Sequence, residues 1–255
     1  MPKRNDWSRE QLLVALKLYC EIPFGRMDHR NPEIVRYAKL INRTPSALAM
    51  KLSNFASLDP LITSTGRKGL SGASRSDRAI WNEMTSDWSQ LASEIAKVEP
   101  VGAAPRLELD ESESATTDYS GSTRSATVEV RIGQAFFRRA VLSAYEFRCC
   151  ITGLPIPELL VASHIVPWRQ DKACRLNPRN GLCLSAIHDS AFDQGLISIS
   201  EDLRVMVSEL LHKSGTDPFV GSALCAFEGR TIRHPQKFFP EAEFLKLHRE
   251  NVFLR

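Results

Sequence analysis

The sequence is short of anything that points to a membrane or to the cell exterior. No run approaches the roughly 18 apolar residues that a membrane-crossing helix needs, and the N-terminus, MPKRNDWSRE, lacks the apolar core of a signal peptide. A cytoplasmic, reducing setting is the expectation, without a membrane partner. Paired cysteines are missing too. None of the six (20, 149, 150, 174, 183, 225) falls in a C-x-x-C pair, and three residues after Cys150 stands Gly153. Thiols are therefore expected rather than disulfides, and a structural zinc site, which needs closely spaced ligand pairs, is not. Charge of one sign is also lacking: 33 Lys and Arg face 30 Asp and Glu, a net +3. Total charge thus gives no argument for nucleic-acid binding. By segment, residues 1–100 carry 15 against 11 (+4), 101–125 carry 2 against 5 (−3), and 126–255 carry 16 against 14 (+2). Two faintly basic blocks flank an acidic joint, and local patches count for more than such totals.

What is present reads as a soluble globular chain, 43% hydrophobic and 25% charged, long enough for two modest domains. Ser8 followed by Gln11 is a capping box, and Leu12, Ala15, Leu16 and Tyr19 follow at helical spacing. Asn31-Pro32 and Thr44-Pro45 are cap-plus-proline starts for two further helices. The tight Asn42-Arg43 turn between them suggests a helix-turn-helix. Its last helix would present Ser46, Met50, Lys51 and Asn54 outwards, with Lys51 and Asn54 the candidate DNA contacts. Residues 61–80 add a Gly/Ser-rich loop with Arg67, Lys68, Arg75 and Arg78, suited to phosphate contacts. Helical spacing resumes from Ile80 to Ile95.

Residues 101–126 lose apolar periodicity and are small, polar and acidic, which reads as a linker. The expected organisation is α+β: a helical DNA-binding domain over 1–100, the linker, and a second domain over 127–255. That second domain opens with a strand-like VEVRI (128–132). An amphipathic helix from Gln134 follows, burying Phe136, Phe137, Val141, Leu142 and Tyr145 and turning Arg138 and Arg139 outwards. Further helices are expected near 208–214 and across the closing EFLKLHRENVF.

The chemistry concentrates between 148 and 199. His164 ends a strand-like apolar run that Pro167 stops. Asn180-Gly181 closes a loop carrying Trp168, Arg169, Lys172, Arg175 and Arg179, and His188 lies in the helical pattern CLSAIHDSAF. Alone, each histidine suits a structural role, and Asn-Gly is ordinary turn chemistry. A histidine with a pKa near ~6.5 is nonetheless the natural base for activating water, and a divalent cation the natural neutraliser of a leaving 3′ oxygen.

Taken together, S-H-I-V-P-W, N-P-R-N-G-L-C-L and I-H-D-x-A-F-D resemble the HNH (ββα-metal, or His-Me finger) endonuclease family, in its restriction-endonuclease branch. R-I-G-Q-x-F-F-R and K-F-x-P-x-x-E-F-L-x-x-H-R-E-N-V-F extend the resemblance over most of 131–255. The N-terminal pattern W-S-x-E…I-N-R-T-P-S-A-L-A-M-K resembles the Myb/SANT three-helix unit, whose third helix enters the major groove.

The HNH resemblance implies a β-hairpin and helix clasping one divalent ion, Mg²⁺ or Mn²⁺. It makes His164 the general base, Asn180 the brace of its loop, and His188 the metal ligand. The residue before the base, often Asp or His, is here Ser163, a poor ligand. Asp193 or Asp189 would then supply the missing ligand, Asp193 being slightly preferred. Arg169, Lys172, Arg175 and Arg179 would hold the DNA backbone. The implied protein is a metal-dependent endonuclease acting on double-stranded DNA, in restriction or phage defence, with duplex cleavage from one site per chain suggesting a homodimer. The rival readings are a non-catalytic DNA-binding regulator with a degenerate HNH domain, and a nuclease acting on RNA.

Overall fold

The computed structural model of the chain describes the backbone of residues 6–64, 66, 69, 70, 72–98, 121–171 and 173–254, and the side chains of these except 84, 85 and 121–129. Of the linker expected over 101–126, residues 101–120 lie outside the described residues, as do Arg67, Lys68 and Lys172, while 121–126 are helical rather than linker. The first helices are α1 (Arg9–Glu21), α2 (Pro32–Leu40), α3 (Pro45–Ala56), α4 (Pro60–Ser64), α5 (Arg75–Ser86) and α6 (Trp88–Val98). Ser8 and Gln11 form the reciprocal capping box, Asn31 caps α2 with Pro32 at its first position, and Thr44 caps α3. The helical stretch from Ile80 divides at Asp87, whose carboxylate accepts from Gln90 N at 2.9 Å and so opens a new helix. Among the described residues no helix is long and apolar enough to cross a membrane.

Helix α7 runs from Gly121 to Ala144. The strand expected over 128–132 is therefore wrong: five alternating residues cannot separate a period of two from one of 3.6, and here they continue the helix that follows. Next come β1 (Leu160–His164), β2 (Gly181–Ser185), α8 (Ala186–Asp193), β3 (Ile197–Ile199), β4 (Val205–Val207), α9 (Glu209–Ser214), α10 (Pro218–Ala223) and α11 (Ala242–Asn251). Strands β1 and β2 pair antiparallel, with His164 opposite Gly181 and Ser163 opposite Leu182. Strands β3 and β4 form a second antiparallel pair. The fold is thus α+β, a helical N-terminal part followed by a ββα unit.

One buried apolar cluster runs from α1 through α7 to the hairpin and α11. Trp88 of α6 meets Phe136 of α7 with ring centroids 6.5 Å apart. On another side of α7, Val141 and Phe137 press on β2 at Gly181. A Cβ on Gly181 would lie 2.3 Å from Val141 Cγ2 and 3.0 Å from Phe137 Cζ. The backbone there is extended, with φ −130°. Gly181 is required by this close approach of α7, not by turn geometry.

Several cations face inwards. Lys51, expected on the outer face of α3, is buried, bonded to both Asp77 oxygens at 2.8 and 3.0 Å, and set over the Trp7 ring. Asp77 at the start of α5 draws it in. Arg138 and Arg139, also expected outwards, turn to the protein. Arg138 donates to Leu160 O at 2.8 Å; Arg139 reaches Glu33 at 2.6 Å and Glu21 at 3.3 Å. The fully buried Lys237 donates to the carbonyls of Cys20 and Ile22 at 2.9 Å each and to Tyr19 O, closing the C-terminus of α1. Burial lowers its pKa to about 8. A cation at a helix C-terminus answers otherwise unpaired carbonyls.

Replacing Gly181 with alanine is expected to cost about 1–3 kcal/mol through overpacking against Val141. Equilibrium urea unfolding should show the loss, and Gly181→Ala combined with Val141→Ala should recover part of it. Equal stability of Gly181→Ala and the parent would refute the close approach.

Candidate active site

The first histidine ends β1 and is half-buried. Its Nε2 lies 3.0 Å from the carbonyl oxygen of Arg175. A carbonyl only accepts, so Nε2 carries a proton in this contact; in the neutral form of the ring the lone pair is then on Nδ1. One face of the imidazole stacks on Phe137, with centroids 4.1 Å apart and planes 5° from parallel. Trp168 stands against it near-perpendicular, at 5.5 Å and 75°.

Asn180 is fully buried beside the strand end. Its Oδ1 accepts from Val166 N at 2.8 Å, and its Nδ2 donates to Val166 O at 3.1 Å and Cys174 O at 3.4 Å. The amide thus ties the segment after His164 to the far end of the loop that supplies the Arg175 carbonyl. A buried side-chain amide with both ends satisfied is a rigid brace.

His188 sits in the first turn of α8, 2% exposed. Its Nδ1 is 2.8 Å from Ser185 Oγ, and the ring meets Phe227 edge to face at 5.5 Å. Its Nε2 is buried without a hydrogen-bond partner, as is the hydroxyl of Ser163. Burial pushes the His188 pKa below the ordinary histidine range, and an interaction with the Ala223 backbone opposes that shift. The ring is therefore neutral at pH 7, the state in which histidine binds metal.

The two aspartates behave differently. Asp193 is exposed at the end of α8, just before Gly195, which takes φ +70°. Asp189 is half-buried and acts electrostatically on Arg138. Among the described residues no three of His, Cys, Asp and Glu converge as a metal-binding group. An orphaned, neutral imidazole nitrogen fits a divalent ion; a cage made wholly of protein ligands does not. Mg²⁺ commonly keeps several waters and takes its remaining oxygens from phosphate, so one protein anchor is compatible with it.

The structure places the expected DNA contacts unevenly. Arg169 is exposed on the loop. Arg175 is turned back on the loop, its Nε donating to Trp168 O at 2.6 Å and its guanidinium 4.9 Å from the Trp168 ring. Arg179 lies 3.8 Å from Glu241. Asn54 is half-buried. Three contributors were not anticipated from the sequence: Phe137, Ser185 and the carbonyl of Arg175. Phe137 carried a signal as one of two adjacent aromatics on a helical face, but nothing local said which of the pair meets the histidine.

Helix α8 is itself pinned from behind. His248 of α11 stacks on Phe192 at 3.7 Å, donates from Nε2 to Phe192 O at 3.1 Å, and lies 2.9 Å from Ser198 Oγ through Nδ1. The cysteines nearest the hairpin are unreactive thiols, burial pushing Cys183 up to about 12.

Residues 149–200 match the family model described as HNH endonuclease; this stretch is an HNH endonuclease domain. No curated protein matches the chain. Among solved structures, one described as "Modification dependent TagI restriction endonuclease" aligns with 19% identity and a TM-score of 0.35, covering 46% of this chain and 37% of that one.

Burial lowers the His248 pKa from 6.5 to about 4. Between these values the unfolded chain binds the proton and the native ring does not, so stability is lost as pH falls from 6.5 and levels off below 4. The loss from this group is expected to be about 3 kcal/mol across the window. Urea unfolding of the parent and His248→Gln at pH 7, 5.5 and 4.5 should show a shallower decline in the variant.

Proposed function

We propose that this chain is a metal-dependent endonuclease that hydrolyses phosphodiester bonds in DNA. The observation that carries this reading is the contact of His164 Nε2 with the Arg175 carbonyl, 3.0 Å apart. With Nε2–H held by the Arg175 carbonyl, Nδ1 is the nitrogen able to accept a proton from water. Asn180 serves this base indirectly, by holding Val166 and Cys174 together and so keeping the Arg175 carbonyl in reach. When bound, a divalent ion supplies the Lewis-acid chemistry that offsets charge on the phosphate and the leaving oxygen.

His188 would hold that ion through Nε2. With Nδ1–H donating to Ser185 Oγ, the lone pair would lie on Nε2 and Ser185 would orient the ligand. The orphaned hydroxyl of Ser163 is compatible with a water-bearing ion. The ion itself, Mg²⁺ or Mn²⁺, belongs to this proposal, as do duplex DNA as substrate, a role in restriction or phage defence, and assembly as a dimer.

The division of labour is proposed on the same footing. Residues 127–255 would cut, and the helical part over 1–100 would help hold the duplex. Among the described loop cations Arg169 is exposed for phosphate, whereas Lys51 is spent on Asp77. The absence of a converging metal-binding triad among the described residues favours, as a second reading, a DNA-binding regulator with a degenerate site.

Plasmid nicking with Mg²⁺ or Mn²⁺, on modified and unmodified DNA, separates the two. The parent should nick, and His164→Ala should slow it by about 10²–10⁴-fold, the usual weight of a general base. No cleavage by the parent under any metal or DNA form would favour the regulator; equal cleavage by parent and His164→Ala would remove His164 as the base. A preference for RNA in the same assay would move the substrate class.

A separate expectation concerns the metal. Ser185→Ala should raise the metal concentration for half-maximal nicking by about 10–100-fold, the cost of losing a ligand's outer partner. An unchanged metal titration would dissociate His188 from metal binding.

A further inference from the structure

We infer that residues 209–228 form a cover over His188, closed in this structure, which lifts when the imidazole takes up a divalent ion. The cover regulates the ion site proposed above, and the inference rests on His188 being a ligand there. Its basis is a conflict of access: Nε2 of His188 is buried and unpartnered, yet it is the nitrogen an ion must reach. An ion bound to it would stand about 2 Å away and bring waters with it. Here the Phe227 ring meets the imidazole edge to face at 5.5 Å and 84°, and the Ala223 backbone interacts with the same ring.

Both covering residues belong to one excursion of the chain from β4. It leaves at Ser208, whose N donates to Leu196 O at 2.9 Å, and returns at Gly229, whose N donates to Val205 O at 2.9 Å. Its two ends are thus pinned beside the β3–β4 pair. Gly229 takes φ +69° in open surroundings, a conformation that favours glycine. Between the ends only Leu211 and Leu224 are buried, while Phe219 and Leu210 are 62% and 54% exposed. A segment with so few buried apolar contacts opens locally at a fraction of the cost of global unfolding.

Ties within the excursion let it move as one piece. His212 Nε2 lies 3.2 Å from the Glu228 carboxylate, and Cys225 Sγ lies 3.8 Å from Leu211 O. On the outer side the Arg230 guanidinium stands 5.2 Å from the Phe227 ring and steadies it over the histidine. An ion that binds only the lifted form draws the population towards that form. Its apparent affinity is reduced by the fraction lifted, so weakening the cover strengthens binding without touching a ligand. Metal should therefore loosen this segment, whereas filling a preformed site would protect the amides around it.

Mn²⁺ alone is the probe, with the full chain. Electron paramagnetic resonance of the free ion gives affinity, and amide hydrogen exchange read by mass spectrometry gives the opening of 209–228. The parent should bind Mn²⁺ in a manner lost in His188→Ala, and saturating Mn²⁺ should speed exchange across 218–227. Phe227→Ala should bind about 10–100-fold more tightly, as expected where about 1–10% of the parent is lifted. Arg230→Ala, an exposed change, should move affinity the same way by a smaller factor.

His188-dependent binding with unchanged or slowed exchange across 218–227, and with parental affinity in Phe227→Ala and Arg230→Ala, would overturn the cover and leave the ligand assignment standing. Binding indifferent to His188→Ala in every background would overturn the ligand assignment and the cover together. Should Phe227→Ala fail to fold, as its melting temperature would show, Arg230→Ala and the parent's exchange decide between these outcomes.

Discussion

The close seating of α7 on the β1–β2 hairpin is the contact on which the rest of the structure depends. At Gly181 the helix approaches so nearly that a single methyl group would collide with Val141. Because Gly181 is paired with His164 across the hairpin, the same approach brings Phe137 flat against that imidazole. On other sides α7 carries the N-terminal helices, through Phe136 against Trp88 and Arg139 against Glu21 and Glu33. One helix therefore transmits the packing of the whole chain to the ring of one histidine. A change in how α1 or α6 packs has a mechanical path to the site that needs no moving part.

Charge follows the same logic of internal use. Of the cations expected on a surface for nucleic acid, Lys51 is engaged within the protein, and other cations are paired as well. Lys17 bonds Glu21 at 2.8 Å inside the core, Lys51 bonds Asp77, and Arg9 reaches Glu94 at 2.6 Å as well as Glu83. The two buried pairs, Lys17–Glu21 and Lys51–Asp77, add little net stability over apolar packing, but removing one partner is costly. The pairs between helices specify which helix meets which.

Much of this was legible in the sequence where the signal is local. Capping residues announced α1, α2 and α3, and the apolar run before Pro167 announced β1. The order of His164, Asn180 and His188 marked the hairpin and helix. What local pattern could not show is direction in space. Lys51 and Asp77 are 26 residues apart, so no helical wheel reveals that one turns the other inward. VEVRI has equal claims to two periods over so short a length, and only the helix it joins decides. Gly181 read as a turn glycine because Asn-Gly usually is one; its real constraint lies in Val141, on another element.

The two motif histidines differ for reasons that are likewise non-local. His164 faces a backbone carbonyl, which dictates the tautomer and leaves the opposite nitrogen basic. His188 faces a hydroxyl, which can donate or accept, so its ring state is not dictated until something claims Nε2. Its burial still favours the neutral ring, since an imidazolium there would lose its hydration. A ring that is neutral, buried and unpartnered on one nitrogen is incomplete by the ordinary standard of protein interiors. The tautomer of His164 is thus dictated by the protein around it, and that of His188 is not. That asymmetry is what a site needs if one group must be ready before the substrate arrives and the other must wait for an ion.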